Sequence, residues 1–250
     1  TPLYSSAASD VYKRQVVLKA LPESIEQVGW LTPAQKTWLL QALQQEEQHK
    51  SITRFSGILR DRHVWLLVCI YFAVMLAVNT IAFWMPTLIH HAGIARDSNV
   101  GLLSALPYLA GCLFMLGVGR SSDRLRERRW HLGVPLLMSS LGLILTGLAP
   151  DNPWLVMFGL LVAGMGASAA LPMFWQLPPA FLASSTQAAG IALISSFGSV
   201  AAFLAPYLIG VVRDATQSAS LALYALALLI ACGAWLVLQV PAHIVNPREK

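Results

Sequence analysis

From His63 onward the chain alternates long apolar runs with short polar breaks. The runs cover residues 64–89, 100–118, 132–148, 154–177, 188–212 and 219–240, and none contains Asp, Glu, Lys or Arg. Each is long enough to cross a hydrocarbon core about 30 Å thick at about 1.5 Å per helical residue. Strict apolar–polar alternation is absent, so the pattern predicts helices and not a barrel as the way the backbone satisfies itself in lipid. Residues 16–63 differ in character. The stretch "WLTPAQKTWLLQALQQEEQHK" predicts an amphipathic helix. Thr32 suits its N-cap, Pro33 its first position, and Gln35 completes a capping box. Leu39, Leu40 and Leu43 supply its apolar stripe. The expected organisation is therefore a leader at 1–15, a cytoplasmic connector at 16–63, a six-helix membrane bundle at 64–240 and a cytoplasmic tail at 241–250.

Composition agrees with a membrane protein. Charged residues make up 12% of the 250 and apolar ones 56%, with a mean hydropathy of +0.60. An ordinary soluble protein carries about 25% charged residues. The formal net charge is +5. Its basic residues lie at the ends of apolar runs, not in a stripe with interleaved aromatics, so nucleic acid is not an expected partner. Cys69, Cys112 and Cys232 lie apart inside apolar runs. They read as small buried apolar residues, and neither a disulfide framework nor a metal site is expected. "SSAASDVYKRQ", residues 5–15, resembles a translated sequencing-adaptor remnant and is set aside from the fold. On that reading the chain is a fragment.

Six helices place both chain ends on one side, and the positive-inside rule selects it. The side holding 16–63, the 119–131 stretch and the tail collects almost all the Lys and Arg, while the other holds only Arg96 and Arg213. The expected location is the inner (plasma) membrane, multi-pass, with both ends cytoplasmic.

The stretch "GRSSDRLRERRW", residues 119–130, concentrates charge between two apolar runs. Orientation alone would ask for arginines but not for this order of Gly119, Asp123, Arg124, Arg128 and Arg129. That order resembles the loop signature of the major facilitator superfamily, found between the second and third helices of each six-helix half. Arg126 stands where the family pattern has a second Gly. With "LPESIEQVGWLTPAQKTWL", "FWMPTLI", "FWQLPPAFL" and "AAGIALISSFGSVAAFLAPYLIGVVRDATQS", the resemblance narrows to the anion:cation symporter family and covers nearly everything from residue 18 onward. It implies an all-α membrane fold in which these six helices form the C-terminal bundle, helices seven to twelve, of a twelve-helix transporter. The partner so implied is an N-terminal six-helix half, with substrate between the halves and alternating access. In the loop, the Gly would allow close helix approach. The Asp would meet a neighbouring helix N-terminus, and the arginines would offer forked donors. Together they would form a conformational latch.

Polar groups inside a membrane are costly and often functional. In the first run, Phe72, Asn79 and Pro86 fall on one line, flanked by Met75 and Phe83. Asn79 is the amide at its middle. It reads either as a substrate contact or as an interhelical hydrogen bond. Trp84 reads as an interfacial anchor. In the fourth run Ser168, Pro172 and Trp175 share a face beside Gln176. Kinking prolines there suit a cavity wall, with Trp175 and Gln176 read either as substrate contacts or as an interfacial Trp with a snorkelling Gln. In the fifth, Ser195 and Ser199 lie at i and i+4, where the resembled family shows Asn in a pattern like "INSIGN". Gly198, Ala201 and Ala205 read as close-packing positions. His90 and His91 read as interfacial, and Arg213 with Asp214 as caps of a short outer loop.

No nucleophile–base arrangement, phosphate-binding loop or cofactor motif is recognised, so an enzyme is not expected. The resemblance implies proton-coupled uptake of a small organic anion, such as a sugar acid or an aromatic carboxylate. Two alternatives stay open: a non-transporting receptor or scaffold on the same fold, and a half-size transporter acting as a dimer.

Overall fold

The computed structural model describes residues 25, 28–48, 58–93, 97–182, 184–216 and 218–246. The leader, residues 16–24, 26–27 and 49–57 of the connector, Arg96 and the last four residues lie outside these. The chain divides into two units, Thr1–Lys50 and Ser51–Lys250. In the first, α1 spans Pro33–Gln48. Its start is the expected capping box: Thr32 N donates to Gln35 Oε1 at 3.0 Å, and Gln35 N donates to Thr32 Oγ1 at 3.4 Å.

The second unit holds α2 (Arg62–His91), α3 (Asp97–Leu125), α4 (Arg129–Leu148), α5 (Pro153–Phe174), α6 (Pro178–Phe181), α7 (Ser184–Thr216), α8 (Ser220–Gln239) and α9 (Ala242–Val245). Six of these helices are long and apolar enough to cross a membrane. Even α4 and α8, at 20 residues each, reach about 30 Å. Asp61 caps α2 through His63 N at 2.7 Å, and Asn152 caps α5 through Trp154 N and Leu155 N. The second helix is longer than its apolar run. α3, which contains Pro107 earlier in its length, continues through Gly119 to Leu125, because no proline lies in this stretch and its Arg and Leu residues are good helix formers. The expected 119–131 loop is therefore mostly helix, with a turn of three residues at 126–128.

Alternation of direction gives the bundle two ends. The charged end carries the 126–128 turn, the start of α2 and the end of α5. The far end carries His91, the 149–152 turn and the start of α8. Trp65 and Trp130 are exposed at the charged end and Trp154 at the far end, as in the paired aromatic belts of membrane proteins.

Water does not drive helices together inside lipid, so close van der Waals packing must. The tightest seam joins α4 and α5. A Cβ built on Gly142 would lie 2.4 Å from Ala163 N, one on Gly159 2.5 Å from Thr146 Oγ1, and one on Gly166 2.3 Å from Pro135 O. α8 packs along α4, α7 along α2, and α3 along α5. Ser140 Oγ adds a bond to the Ala227 carbonyl of α8 at 2.8 Å. The apolar windows of α3 and α7 are only 17% and 28% buried, against 44–56% for the other four helices, so these two present apolar faces outward. All three cysteines are exposed, which corrects the expectation that they are buried. They lie on the outward faces of α2, α3 and α8, which are apolar along their length.

Candidate functional site

The charged turn is built around a residue that the sequence pattern did not single out. Glu127 accepts hydrogen bonds from Trp130 N at 2.9 Å and His131 N at 3.3 Å, the free donors at the start of α4. Its other partners are His131 Nδ1 at 2.9 Å and Asn246 Nδ2 at 3.1 Å. Burial of the carboxyl would raise its pKa. The Trp130 N–H, the His131 ring, the Asn246 amide and the His131 N–H outweigh that and hold it below the usual carboxylate value. His131 Nε2 reaches Ser121 Oγ at 3.0 Å, and Ser122 Oγ donates to the Glu127 carbonyl at 2.7 Å. The end of α3 is thereby tied to the start of α4.

The arginines extend this network. Arg128 N donates to Asn246 Oδ1 at 2.9 Å, and Arg128 Nη1 donates to the Gln176 carbonyl at 3.2 Å, beyond the end of α5. Arg129 Nη2 donates to the Leu238 carbonyl in the last turn of α8. That is a favourable place for a cation at a helix C-terminus. One turn thus holds five parts of the bundle end: α3, α4, the ends of α5 and α8, and Asn246 after α9. Asp123 and Arg124 are exposed. Gly119 does not act as a close-approach residue within this chain, because a Cβ there would meet only Met173 Cε, at an ordinary 3.9 Å.

Arg126, at the position where the resembled pattern has Gly, has φ +50°. It is the non-glycine residue of positive φ among those described, and a side chain in the left-handed region costs about 1–2 kcal/mol. Arg126→Gly should therefore raise thermal stability by up to about 1 kcal/mol, and Arg126→Val should lower it. Thermal melts of the purified variants check this; a Gly variant markedly less stable than the parent would show that the arginine's own contacts outweigh the strain.

The second candidate region lies on α2, α5 and α7. Tyr71 is its centre and was not anticipated. Its ring centroid lies 4.7 Å from Phe174 and 5.0 Å from Trp175. Gly198 of α7 comes against Tyr71, and a Cβ there would lie 2.3 Å from Cε1 of the ring and 3.1 Å from Met75 Cγ. Ala201 and Ala205 are fully buried on the same helix, as close-packing positions. Asn79, half-buried, uses one amide hydrogen on the Met75 carbonyl of its own helix at 2.9 Å. Ser195 is half-buried and Ser199 exposed, with Ser199 Oγ donating back to the Ser195 carbonyl at 3.1 Å. Trp175 joins this face. Gln176 belongs to the charged end, where its backbone carbonyl serves Arg128 and its own Oε1 is buried without a partner. The structure brings Trp175 and Gly198 against Tyr71, while Asn79 on α2 and Ser199 on α7 bond carbonyls of their own helices and Gln176 serves the charged turn. No spacing in the sequence singles out Tyr71, an aromatic within an apolar run.

Comparison with known proteins agrees with this architecture. Residues 24–206 and 94–250 match the family described as Major Facilitator Superfamily. The chain is 34% identical over 231 residues to a Pseudomonas putida protein named "Putative metabolite transport protein NicT", covering 91% of this chain and 52% of that protein. It is 33% identical to a "Quinolone resistance transporter" of Acinetobacter baumannii, covering 92% and 53%, and 32% identical to a "Putative tartrate transporter" of Agrobacterium vitis, covering 89% and 50%. The chain spans about half the length of these relatives. With six apolar helices and family matches that run nearly end to end, the chain belongs to the major facilitator superfamily.

Proposed function

We propose that this chain forms the C-terminal half of a secondary transporter that takes up a small organic anion together with a proton, as in the anion:cation symporters. The observation that carries the reading is the Tyr71–Phe174–Trp175 aromatic cluster where α2, α5 and α7 meet, in helices that also carry Asn79, Ser195 and Ser199 and whose apolar windows are almost free of charge. A carboxylate or hydroxyl could take hydrogen bonds from Asn79 and the serines, and an aromatic or sugar ring could lie on Trp175 and Tyr71. The name of the Agrobacterium relative, which specifies tartrate, agrees with a small organic acid. Titratable groups for proton coupling and a cation to meet the anion would come from the N-terminal half. The turn at 126–128, with Gly119, Asp123, Arg124, Arg128 and Arg129, would act as the latch whose contacts form in one conformation and break in the other. Both chain ends would face the cytoplasm of the inner membrane, where anionic lipid favours such a basic end.

The test is uptake by the whole protein in vesicles under an imposed proton gradient. The panel would contain tartrate, a sugar acid, an aromatic carboxylate and a quinolone. Accumulation of at least one organic acid is expected. Asn79→Ala and Trp175→Ala should each raise KM by about tenfold, the equivalent of about 1.4 kcal/mol of lost contact. A well-inserted protein that accumulates none of the acids would overturn this reading and favour a receptor or scaffold. Accumulation by residues 16–250 alone would favour the half-size dimer.

A further inference from the structure

The far end of the bundle holds a cavity that the proposed transport route does not use. It has a volume of about 210 Å³ and lies among the end of α2, the turn between α4 and α5, and the start of α8. Leu88, Val156 and Leu223 form an apolar wall, and Ser218 and Ser220 add hydroxyls. Arg213 projects into it from α7 and His91 from α2. Arg213 Nη2 donates to His91 Nε2 at 3.2 Å, and the guanidinium lies 5.8 Å from the centroid of the Trp84 ring. Neither neighbour is an anion. A half-buried arginine held by an imidazole and an indole keeps forked donors to spare, and its geometry matches a carboxylate. α8 begins on the same wall; its N-cap position, Ala219, supplies no side-chain cap, and Ser218 Oγ accepts only from Ser220 N, at 3.3 Å. The positive end of a helix therefore adds to the field there. Asp151 is the carboxylate on the wall; it is exposed and would repel an anionic ligand. His90 and Asp214, also at this end, are not among the wall residues.

We propose that this cavity is a second binding site, which receives one carboxylate of a small organic acid with Arg213 as its anchor. The cavity is smaller than the roughly 300–1,000 Å³ of drug-sized pockets, which limits the ligand to a compact acid such as a short hydroxy-dicarboxylate or a benzoate. The apolar wall takes the carbon frame, and the hydroxyls of Ser218 and Ser220 take a second polar group. The site lies at the opposite end from the charged turn, so it would hold an acid before or after passage through the centre. The proposal rests on the reading that the protein handles organic anions.

The experiment measures binding and transport separately on the whole protein. In lipid nanodiscs, tartrate and benzoate are titrated while tryptophan fluorescence is followed, with benzyl alcohol as the uncharged control. Trp84, under the Arg213 guanidinium, supplies the signal, and the signal should vanish in Trp84→Phe. Arg213→Gln should weaken binding at least tenfold, Arg213→Lys should retain part of it, and Asp151→Asn should tighten it severalfold. Unchanged affinity in Arg213→Gln, or equal binding of benzyl alcohol, would overturn the site. If acids bind with this dependence but none is transported, the transport reading fails and the site stands. If uptake occurs with no Arg213-dependent binding and an unchanged KM in Arg213→Gln, the site fails and the transport reading stands.

Discussion

A Gly166→Val protein should fail to assemble the bundle. Gly166 faces α4 at its closest approach, where a Cβ would lie 2.3 Å from the Pro135 carbonyl oxygen, 2.5 Å from Ser139 N and 3.0 Å from Ser139 Cα. All three are backbone atoms, so no side chain can rotate to make room. Overpacking costs about 1–3 kcal/mol where neighbours can adjust. Here whole helices must separate along the seam that also contains Gly142 and Gly159, so the cost should exceed about 3 kcal/mol. That is a large share of the roughly 5–15 kcal/mol by which a folded protein is stable. The expected result is loss of the cooperative melt in detergent and rapid proteolysis of the α4–α5 pair. Gly142→Ala should move the same way, since its Cβ would lie 2.4 Å from Ala163 N. Gly210→Ala is the control, because nothing lies within 4 Å of a Cβ there. Normal melting of Gly166→Val would mean that α4 and α5 are not in this contact.

Why this seam was not read from the sequence is a matter of periodicity. Apolar runs free of charge announce that a helix crosses lipid, and all six were legible on that ground. In a soluble helix the apolar stripe also points to the packed face. In these helices every face is apolar, so the stripe disappears and only small residues mark the contacts. Gly198, Ala201 and Ala205 were legible that way because they recur along one side of α7. The cysteines misled for the same reason: apolar surroundings in the sequence do not distinguish a protein neighbour from lipid. The boundaries of α2, α4, α5 and α8 fell within a few residues of their runs, since Asp61, Asn152 and the prolines punctuate them. α3 overran its run because charge ends an apolar stretch without ending a helix. Of the candidate residues, Asn79 and Trp175 stood out by type. Tyr71 did not, because an aromatic within an apolar run is unremarkable until Gly198 comes against it. Glu127 was hidden by its neighbours. Among so many arginines it read as one more charge, and its partner Asn246 lies 119 positions away.

Removal of that carboxylate should loosen the charged end more than removal of any one arginine. Glu127→Ala deprives the first turn of α4 of its acceptor and leaves Trp130 N, the His131 ring and the Asn246 amide without their partner. Loss of a helix cap costs about 0.5–2 kcal/mol, and hydrogen bonds to a charged group contribute about 1.5–3 kcal/mol, so a loss of about 1–3 kcal/mol is expected for this partly exposed group. Glu127→Gln keeps one acceptor oxygen and should lose less. The pH dependence separates a charge effect from a packing effect. The folded pKa of Glu127 lies below its ordinary value of 4.5. A carboxylate so depressed stabilises the fold at pH above that ordinary value, and the contribution is lost as pH falls through the folded pKa. The parent protein should therefore lose stability on acidification from pH 7 toward and below 4.5, while Glu127→Ala, already without the contribution, should lose less over the same interval. The gap between the two melting temperatures should narrow as the pH drops. The same unhooking releases Asn246 and with it the backbone contact to Arg128, so the Arg128 amide should exchange its hydrogen faster at neutral pH in Glu127→Ala than in the parent. A gap in melting temperature that stays constant down to the lowest pH at which the parent folds would show that Glu127 acts by packing alone and that the network has no electrostatic centre.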